Sequence, residues 1–160
     1  MSNANSTEAA AGPVGIGGWL ILPVIGLFLT PIQGLAQMGD YSGLIKNMQY
    51  LTAAQGGFVW LEIVANLVIV VAMPIFLLVQ LFQRKALFPK AYVVWAVANI
   101  AFEFLDLIVA QVLFGEIFEK SDTKLIDGDT LKSILRSLIL VVVWVPYMLN
   151  SVRVRNTFTA

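Results

Sequence analysis

Residues 16–37 read IGGWLILPVIGLFLTPIQGLAQ, a run of 22 residues without a charged side chain. A helix rises about 1.5 Å per residue, so about 20 apolar residues cross the roughly 30 Å hydrocarbon layer of a membrane. A buried helix of a water-soluble protein would be shorter and would present a polar face to solvent. The stretch therefore predicts a transmembrane helix.

The rest of the chain has a membrane-protein composition and three more long apolar stretches. Of its 160 residues, 59% are hydrophobic and only 12% are charged, and the mean hydropathy is +0.83. A water-soluble domain of this length carries about twice as much charge. The further stretches cover about residues 58–82, 91–114 and 131–150. The sequence predicts an all-α fold, an integral membrane bundle of four transmembrane helices.

Prolines lie inside three of the four spans, at Pro23, Pro31, Pro74 and Pro146. Proline removes a backbone hydrogen bond, and neighbouring helices of a membrane bundle can satisfy the freed carbonyl group. We expect a kink at each proline. A hinge or an unwound binding segment is the alternative.

The segment after the first span predicts a short second helix. Its apolar residues Leu44, Ile45, Met48 and Leu51 are spaced i, i+1, i+4 and i+7, which places them on one helical face. A helix with one apolar face is expected to lie along the outer membrane surface as an interfacial amphipathic helix. An irregular loop folded over the bundle is the alternative.

The basic residues indicate the orientation of the chain, because Lys and Arg are concentrated in cytoplasmic loops. They cluster between the second and third spans and after the fourth span. We therefore expect both termini in the cytoplasm. On this interpretation residues 1–14 form a disordered tail, residues 15–155 the four-span domain and residues 156–160 a second cytoplasmic tail. The expected membrane-interface anchors are Trp19, Trp60, Trp95, Arg84, Lys85, Lys90, Arg153 and Arg155.

Several function classes are excluded or disfavoured by composition. The chain has no Cys, which excludes disulfides, thiolate catalysis and Cys-ligated metals. It has no His, the usual general base and transition-metal ligand. Its formal net charge is zero, so no overall basic field attracts nucleic acid. No nucleotide-binding, zinc or nucleophile motif is present. We therefore predict a non-enzymatic protein without a cofactor or a nucleic-acid partner.

Polar residues inside the predicted spans are the main functional signal. On the third span, Asn99, Glu103 and Asp106 recur at i, i+4 and i+7 and form one polar stripe. On the second span, Glu62 and Asn66 are four residues apart. Ionisable groups in hydrocarbon are costly, and they persist where they face a bundle interior or a partner. The predicted buried polar stripe is Asn99, Glu103, Asp106, Glu62, Asn66 and Arg136.

The fourth span contributes Arg136, at a depth similar to that of Glu62. We predict that Arg136 pairs with Asp106, or with Glu62, which leaves Glu103 without a cationic partner. Three hypotheses remain open for the stripe. It holds the helices together by hydrogen bonds, it binds or passes protons or a small cation, or it receives an Arg or Lys from another membrane subunit.

Three stretches resemble one protein family: GIGGWLILPVIGL at residues 15–27, LFPK at 87–90 and YMLNSVRVRNTF at 147–158. The family is domain of unknown function 2569, a group of bacterial inner-membrane proteins. Arg155 stands where the family pattern has Lys, which keeps the charge. The resemblance implies a four-helix protein of the bacterial inner membrane. It implies no reaction, substrate or catalytic residue.

The sequence therefore predicts an integral membrane protein that acts as a non-enzymatic module, assembling with or regulating a membrane complex. The alternative is a small proton- or cation-conducting protein that uses the buried carboxylates of the third span. The expected partners are the lipid bilayer and either another membrane subunit or a second copy of the chain.

Overall fold

The computed structural model describes residues 12–39, 41–120 and 126–160, and these residues form helices and turns without a strand. Four helical segments are long and apolar enough to span a membrane: Gly18–Lys46, Ala53–Phe82, Phe88–Lys120 and Gly128–Asn150. The predicted all-α fold with four spans is confirmed. The predicted disordered tail at residues 1–14 falls mostly outside the described residues.

The first span begins with a 3-10 turn, Gly18–Leu20, which leads into α1, Ile21–Gln37. A second helix, α2, covers Tyr41–Lys46 and is followed by a 3-10 turn, Met48–Tyr50. The predicted short helix after the first span is therefore present. Its position at the membrane surface stays a prediction.

The second span has three parts: α3, Ala53–Asn66, a π-helix, Leu67–Ala72, and α4, Met73–Phe82. In a π-helix each backbone N–H bonds the carbonyl five residues earlier. Accordingly, the N–H of Met73 bonds the carbonyl of Val68. The next donor in this register would be Pro74, which has no N–H. The carbonyl of Ile69 is therefore left without a partner in its own helix.

Trp95 of the third span supplies the missing donor. Its indole Nε1 donates to the Ile69 carbonyl at 2.8 Å, and its side chain is only 3% exposed. Our expectation that Trp95 is a membrane-interface anchor is therefore wrong. Sequence position alone placed this residue near a span end, whereas the π-helix before Pro74 leaves a carbonyl group that the buried indole satisfies.

The third span is one long helix, α5, Phe88–Lys120. The fourth span consists of α6, Gly128–Ile139, a π-helix, Leu140–Trp144, and α7, Val145–Asn150. Here again a π-helix directly precedes a proline, Pro146. A final short helix, α8, covers Val152–Thr157, and its first turn is capped by the Ser151 hydroxyl, which accepts from the N–H of Val154.

The buried core lies at one end of the bundle, where the turn between the second and third spans and residues 151–160 are located; we call this the basic end. Here α1, α4, the start of α5, α7 and α8 pack together. The buried cluster is Leu20, Leu27, Leu77, Leu78, Leu81, Phe88, Tyr92, Trp95, Ala96, Met148, Val154 and Phe158. The opposite end, where α2 and the start of α6 lie, is the loop end.

The last residues of the chain pack against this core. The Phe158 ring stacks on Phe88 with centroids 4.6 Å apart, and only 5% of Phe158 is exposed. The N–H of Ala86 donates to the Ala160 carbonyl at 2.7 Å. Residues 156–160, which we predicted as a cytoplasmic tail, therefore pack against the folded domain. The burial of Phe158 and the backbone hydrogen bond between Ala86 and Ala160 hold them in place.

The four spans pack in chain order. The first span contacts the second, the second contacts the third, and the third contacts the fourth. Cavities remain where the first, third and fourth spans approach one another. This arrangement leaves a lateral groove between the first and fourth spans.

Candidate functional site

The polar stripe of the third span faces a cavity of about 330 Å³ inside the bundle. Asn99, Glu103 and Asp106 line it from α5, and Glu62 and Asn66 line it from α3. The structure thus brings together five of the six residues of the predicted stripe. We call this space the acidic cavity, because three carboxyl groups line it.

The first and fourth spans complete the acidic cavity with residues that the sequence analysis did not single out. Gln37 lines it from α1, and Thr130 and Ser133 line it from α6. A signal for them was present, since uncharged polar residues recur at helical spacing on both spans. On the first span these are Thr30, Gln33 and Gln37, and on the fourth they are Thr130, Ser133 and Ser137.

Tyr41 binds Glu62 at the loop end of the acidic cavity. The Tyr41 hydroxyl donates to Glu62 Oε1 at 2.8 Å. Tyr41 is buried because α2 turns its first side chain back toward α3. The contact joins the segment after the first span to the second span and fixes one carboxyl group of the site.

Three other oxygen atoms around the acidic cavity are buried and accept no hydrogen bond from the described residues: Asn66 Oδ1, Glu103 Oε2 and Asp106 Oδ1. A buried acceptor without a partner costs about 1–3 kcal/mol, and more when it is charged. All three residues line the acidic cavity, so its wall carries one amide and two carboxyl groups that each include a buried, unpaired oxygen.

Arg136 does not form the ion pair that we predicted. Among the described residues, neither Asp106 nor Glu62 lies within 4.0 Å of it, and its Nη1 instead donates to Gln33 Oε1 at 2.8 Å. Successive residues of a helix point about 100° apart. Because Ser137 faces the third span and accepts from Asn99 Nδ2 at 3.3 Å, Arg136 is turned toward the first span.

Arg136, which is exposed, lines a smaller cavity of about 110 Å³ that adjoins the acidic cavity. The two share the lining residues Gln37, Val70, Asn99 and Ser133. The site therefore combines an acidic part with a neighbouring cationic part. No group of three or more His, Cys, Asp or Glu side chains in the described part of the chain could hold a metal ion.

Comparison with known proteins identifies the family. Residues 13–159 match the sequence model of a family described as proteins of unknown function, DUF2569. The chain belongs to this family. It is also similar to the inner membrane protein YdgK of Escherichia coli strain K12, with 24% identity over 151 residues that cover 91% of this chain and 94% of that protein. No solved structure matches the chain.

The three stretches that carry the DUF2569 resemblance meet at the basic end. The Gly15 N–H donates to Thr157 Oγ1 at 2.9 Å, which joins the first stretch to the last. Phe88 of the middle stretch stacks on Phe158. Gly18 has a φ of +56°, a left-handed conformation that favours glycine, and it packs against the Arg153 guanidinium. The resemblance thus marks one packed unit, separate from the acidic cavity.

The other predicted anchors lie near the surface of this DUF2569 protein. Trp19 is 71% exposed and Trp60 is 53% exposed. Arg153 is half-buried, and its Nη1 donates to the Gly15 carbonyl at 3.5 Å. Arg84, Lys85, Lys90 and Arg155 are exposed. The interfacial role of all these residues stays a prediction.

Proposed function

We propose that this DUF2569 protein is a non-enzymatic membrane protein that binds a positively charged group in the acidic cavity. Through this binding it assembles with or regulates a membrane complex. The observation that supports this proposal is that three carboxyl groups, those of Glu62, Glu103 and Asp106, line one cavity within the membrane-spanning segments.

The state of these carboxyl groups supports a positively charged ligand. Glu103 Oε2 and Asp106 Oδ1 are buried without a hydrogen-bond partner among the described residues. The described residues form two ion pairs, Lys120–Glu116 and Lys132–Asp129, and both lie elsewhere on the surface. An ammonium or guanidinium group would supply N–H donors and opposite charge, and such charge-assisted hydrogen bonds are stronger than neutral ones.

The geometry favours binding over conduction of protons or cations. Conduction requires a polar path from one end of the bundle to the other. Between the acidic cavity and the basic end lies the apolar cluster that includes Leu77, Leu81 and Tyr92, each at most 2% exposed. The geometry of the acidic cavity therefore favours a binding pocket with one polar side over a channel.

Orientation follows from the basic end. The exposed Arg84, Lys85 and Lys90 support a cytoplasmic position for that end and for both termini, in a bacterial inner membrane. The chain has no cysteine, so single introduced cysteines can report its orientation in the membrane. A cysteine at Lys120 should react with an impermeant maleimide in intact cells, whereas one at Thr159 should react only after lysis. The reverse labelling pattern would contradict this orientation and indicate the opposite topology.

Binding is tested by thermal unfolding of the purified chain in mild detergent with added octylammonium chloride. A ligand at 100 times its Kd stabilises the folded state by about 2.7 kcal/mol. For a chain of this length that corresponds to a rise in Tm of roughly 5–10 °C. Sodium chloride at equal ionic strength and a neutral octyl glycoside serve as controls. The double variant Glu103→Gln with Asp106→Asn should lose the response; an unchanged response would contradict the proposal.

The role in a complex needs a separate experiment. Crosslinking in intact cells, followed by purification in mild detergent and mass spectrometry, should recover the same membrane partner repeatedly. The partner should be lost when Glu103→Gln and Asp106→Asn are combined, and it should be retained when the exposed Arg155 is changed to Gln. Recovery of this chain alone under all crosslinking conditions would leave the assembly role without support and favour a protein that acts by itself.

A further inference from the structure

Beyond the Arg136 cavity lies a third, mainly apolar space, and each of the three spaces shares lining residues with the next. This space has a volume of about 150 Å³ and lies between the first, third and fourth spans. It shares Thr30, Trp95, Arg136 and Leu140 with the Arg136 cavity. Its other walls are Leu22, Pro23, Gly26, Leu27, Tyr92, Ile139 and Trp144. We call it the apolar groove.

The three spaces follow one another along the first span. Gln37 lines the acidic cavity, Gln33 holds Arg136 one helical turn away, and Leu22 lies at the far end of the apolar groove. At 1.5 Å per residue, Gln37 and Leu22 are about 22 Å apart along the helix. From the loop end toward the basic end, the order is therefore negative, positive, apolar.

Arg136 lacks an anionic partner in the described structure. Its guanidinium donates to the neutral amide of Gln33, and no carboxylate of the described residues lies within 4.0 Å. A cation in the membrane-spanning region is costly unless an anion or water compensates it. Guanidinium groups bind phosphate by two parallel hydrogen bonds. The Arg136 cavity is thus suited to a phosphate group.

We propose that the three spaces together bind one zwitterionic aminophospholipid from the membrane leaflet at the loop end. Its ammonium group lies in the acidic cavity, its phosphate at Arg136 and an acyl chain in the apolar groove. This inference rests on the proposed function, because the ammonium is the positive group of that proposal. Ammonium and phosphate are separated by a two-carbon bridge, which suits subsites one helical turn apart.

Other candidate ligands satisfy fewer of the charged and apolar groups that line the three spaces. A transmembrane helix of a partner is about 10 Å or more in diameter, so one turn of it fills about 400 Å³ or more, which exceeds the groove volume of about 150 Å³. A small inorganic cation would serve Glu103 and Asp106 but leave Arg136 without an anion. An anionic lipid would serve Arg136 but leave the acidic cavity unfilled. The aminophospholipid serves all three spaces.

The experiment measures the affinity of the purified full chain in mild detergent for three probes: dioctanoyl phosphatidylethanolamine, dioctanoyl phosphatidylglycerol and octylammonium. Quenching of the groove tryptophans Trp95 and Trp144 by brominated acyl chains reports phospholipid binding, and thermal unfolding reports all three. We expect phosphatidylethanolamine to bind at least tenfold more tightly than either other probe. Equal affinity for the two phospholipids would overturn the inference, because the acidic cavity would then contribute nothing.

Three variants separate the subsites. Asp106→Asn should weaken phosphatidylethanolamine at least tenfold and leave phosphatidylglycerol unchanged. Arg136→Gln should weaken both phospholipids and leave octylammonium unchanged. Gly26→Leu should block the groove and weaken both phospholipids; a Cβ on Gly26 meets no atom within 4 Å, so this variant keeps the inference testable if Arg136→Gln does not fold. The matched controls Arg155→Gln and Gly57→Leu should change no affinity.

The failures of the two proposals are distinguishable. If octylammonium binds and phosphatidylethanolamine is no tighter, the proposed function stands and the lipid inference is wrong. If neither ammonium compound binds, both are wrong. A photoreactive residue in place of Ile139, activated in native membranes, gives an independent readout. Because Ile139 is 57% exposed and bulk lipid also reaches it, labelling by phosphatidylethanolamine in excess of its share of the membrane lipids supports the inference. Labelling in proportion to lipid abundance, or by a polypeptide, overturns it.

Discussion

Replacement of Trp95 by Phe is expected to expose the cost of a proline inside the second span. The substitution removes the indole N–H that satisfies the Ile69 carbonyl at 2.8 Å. Interhelical hydrogen bonds in membranes contribute about 0.6 kcal/mol on average and up to about 1.7 kcal/mol. The smaller ring also leaves a void in the buried cluster, worth about 1 kcal/mol. We expect Trp95→Phe to lower the free energy of unfolding by about 2 kcal/mol.

The hydrogen-bond part can be isolated with Pro74→Ala. An alanine at position 74 has an N–H five residues after Ile69, which the π-register directs to the same carbonyl. In the Pro74→Ala background, Trp95→Phe should therefore cost only the packing part. The difference between the two costs is the coupling energy, and we expect about 0.6–1.7 kcal/mol.

Unfolding by sodium dodecyl sulfate in mixed micelles, followed by circular dichroism, gives the four free energies of this cycle. Trp60→Phe is the matched control, because Trp60 is 53% exposed and its loss should change stability by less than about 0.5 kcal/mol. A coupling energy near zero, with all four proteins folded, would refute the argument that Trp95 compensates for Pro74.

Three further predictions concern close packing, the C-terminus and pH. Gly34→Ala should destabilise the fold by about 1–3 kcal/mol in the same unfolding assay, because a Cβ there meets a valine side chain of the second span at 2.8 Å, whereas Gly26→Ala should not destabilise it. Phe158→Ala should cost about 3–5 kcal/mol, and a loss below 1 kcal/mol would show that the C-terminal residues are not part of the core. The backbone N–H of Thr130 holds the pKa of Asp127 below its usual range. The cap therefore stabilises the fold above the unfolded pKa of about 3.9 and loses this contribution as pH falls through the lower folded pKa. Asp127→Asn should flatten the pH dependence of unfolding in that range, and an unchanged profile would contradict the cap.

The fold was predictable because the apolar runs leave few alternatives. A stretch such as residues 16–37, without a charge, satisfies its backbone groups in hydrocarbon only as a helix. The periodicity of Asn99, Glu103 and Asp106 likewise predicted that they share a face, and they line one cavity. Helical periodicity and span length are local properties, so one sequence carries them.

The pairing of side chains across helices was not predictable from the same information. We predicted that Arg136 pairs with Asp106 or Glu62 from the depths of these residues along their spans, but depth does not fix rotation about the helix axis. One residue changes the direction by about 100°, and Ser137, not Arg136, faces the third span. Trp95 shows the same limit, since its partner is a carbonyl freed by Pro74 on another span. Nothing in the sequence indicates that the carbonyl freed by Pro74 is paired with a tryptophan twenty-one positions later.

The two ends of the bundle differ in how their polar groups are satisfied. At the basic end, the terminal residues of the chain supply the partners, as Thr157 does for Gly15 and Ala160 does for Ala86. Toward the loop end, the acidic cavity keeps buried acceptors on Glu103 and Asp106 without partners in the described chain. Unsatisfied buried acceptors destabilise a fold, so a fold that gained only stability from these residues would have apolar side chains in their place. Under the proposed function, the compact basic end, whose residues satisfy one another, contributes stability, and the polar stripe in the other half binds the ligand.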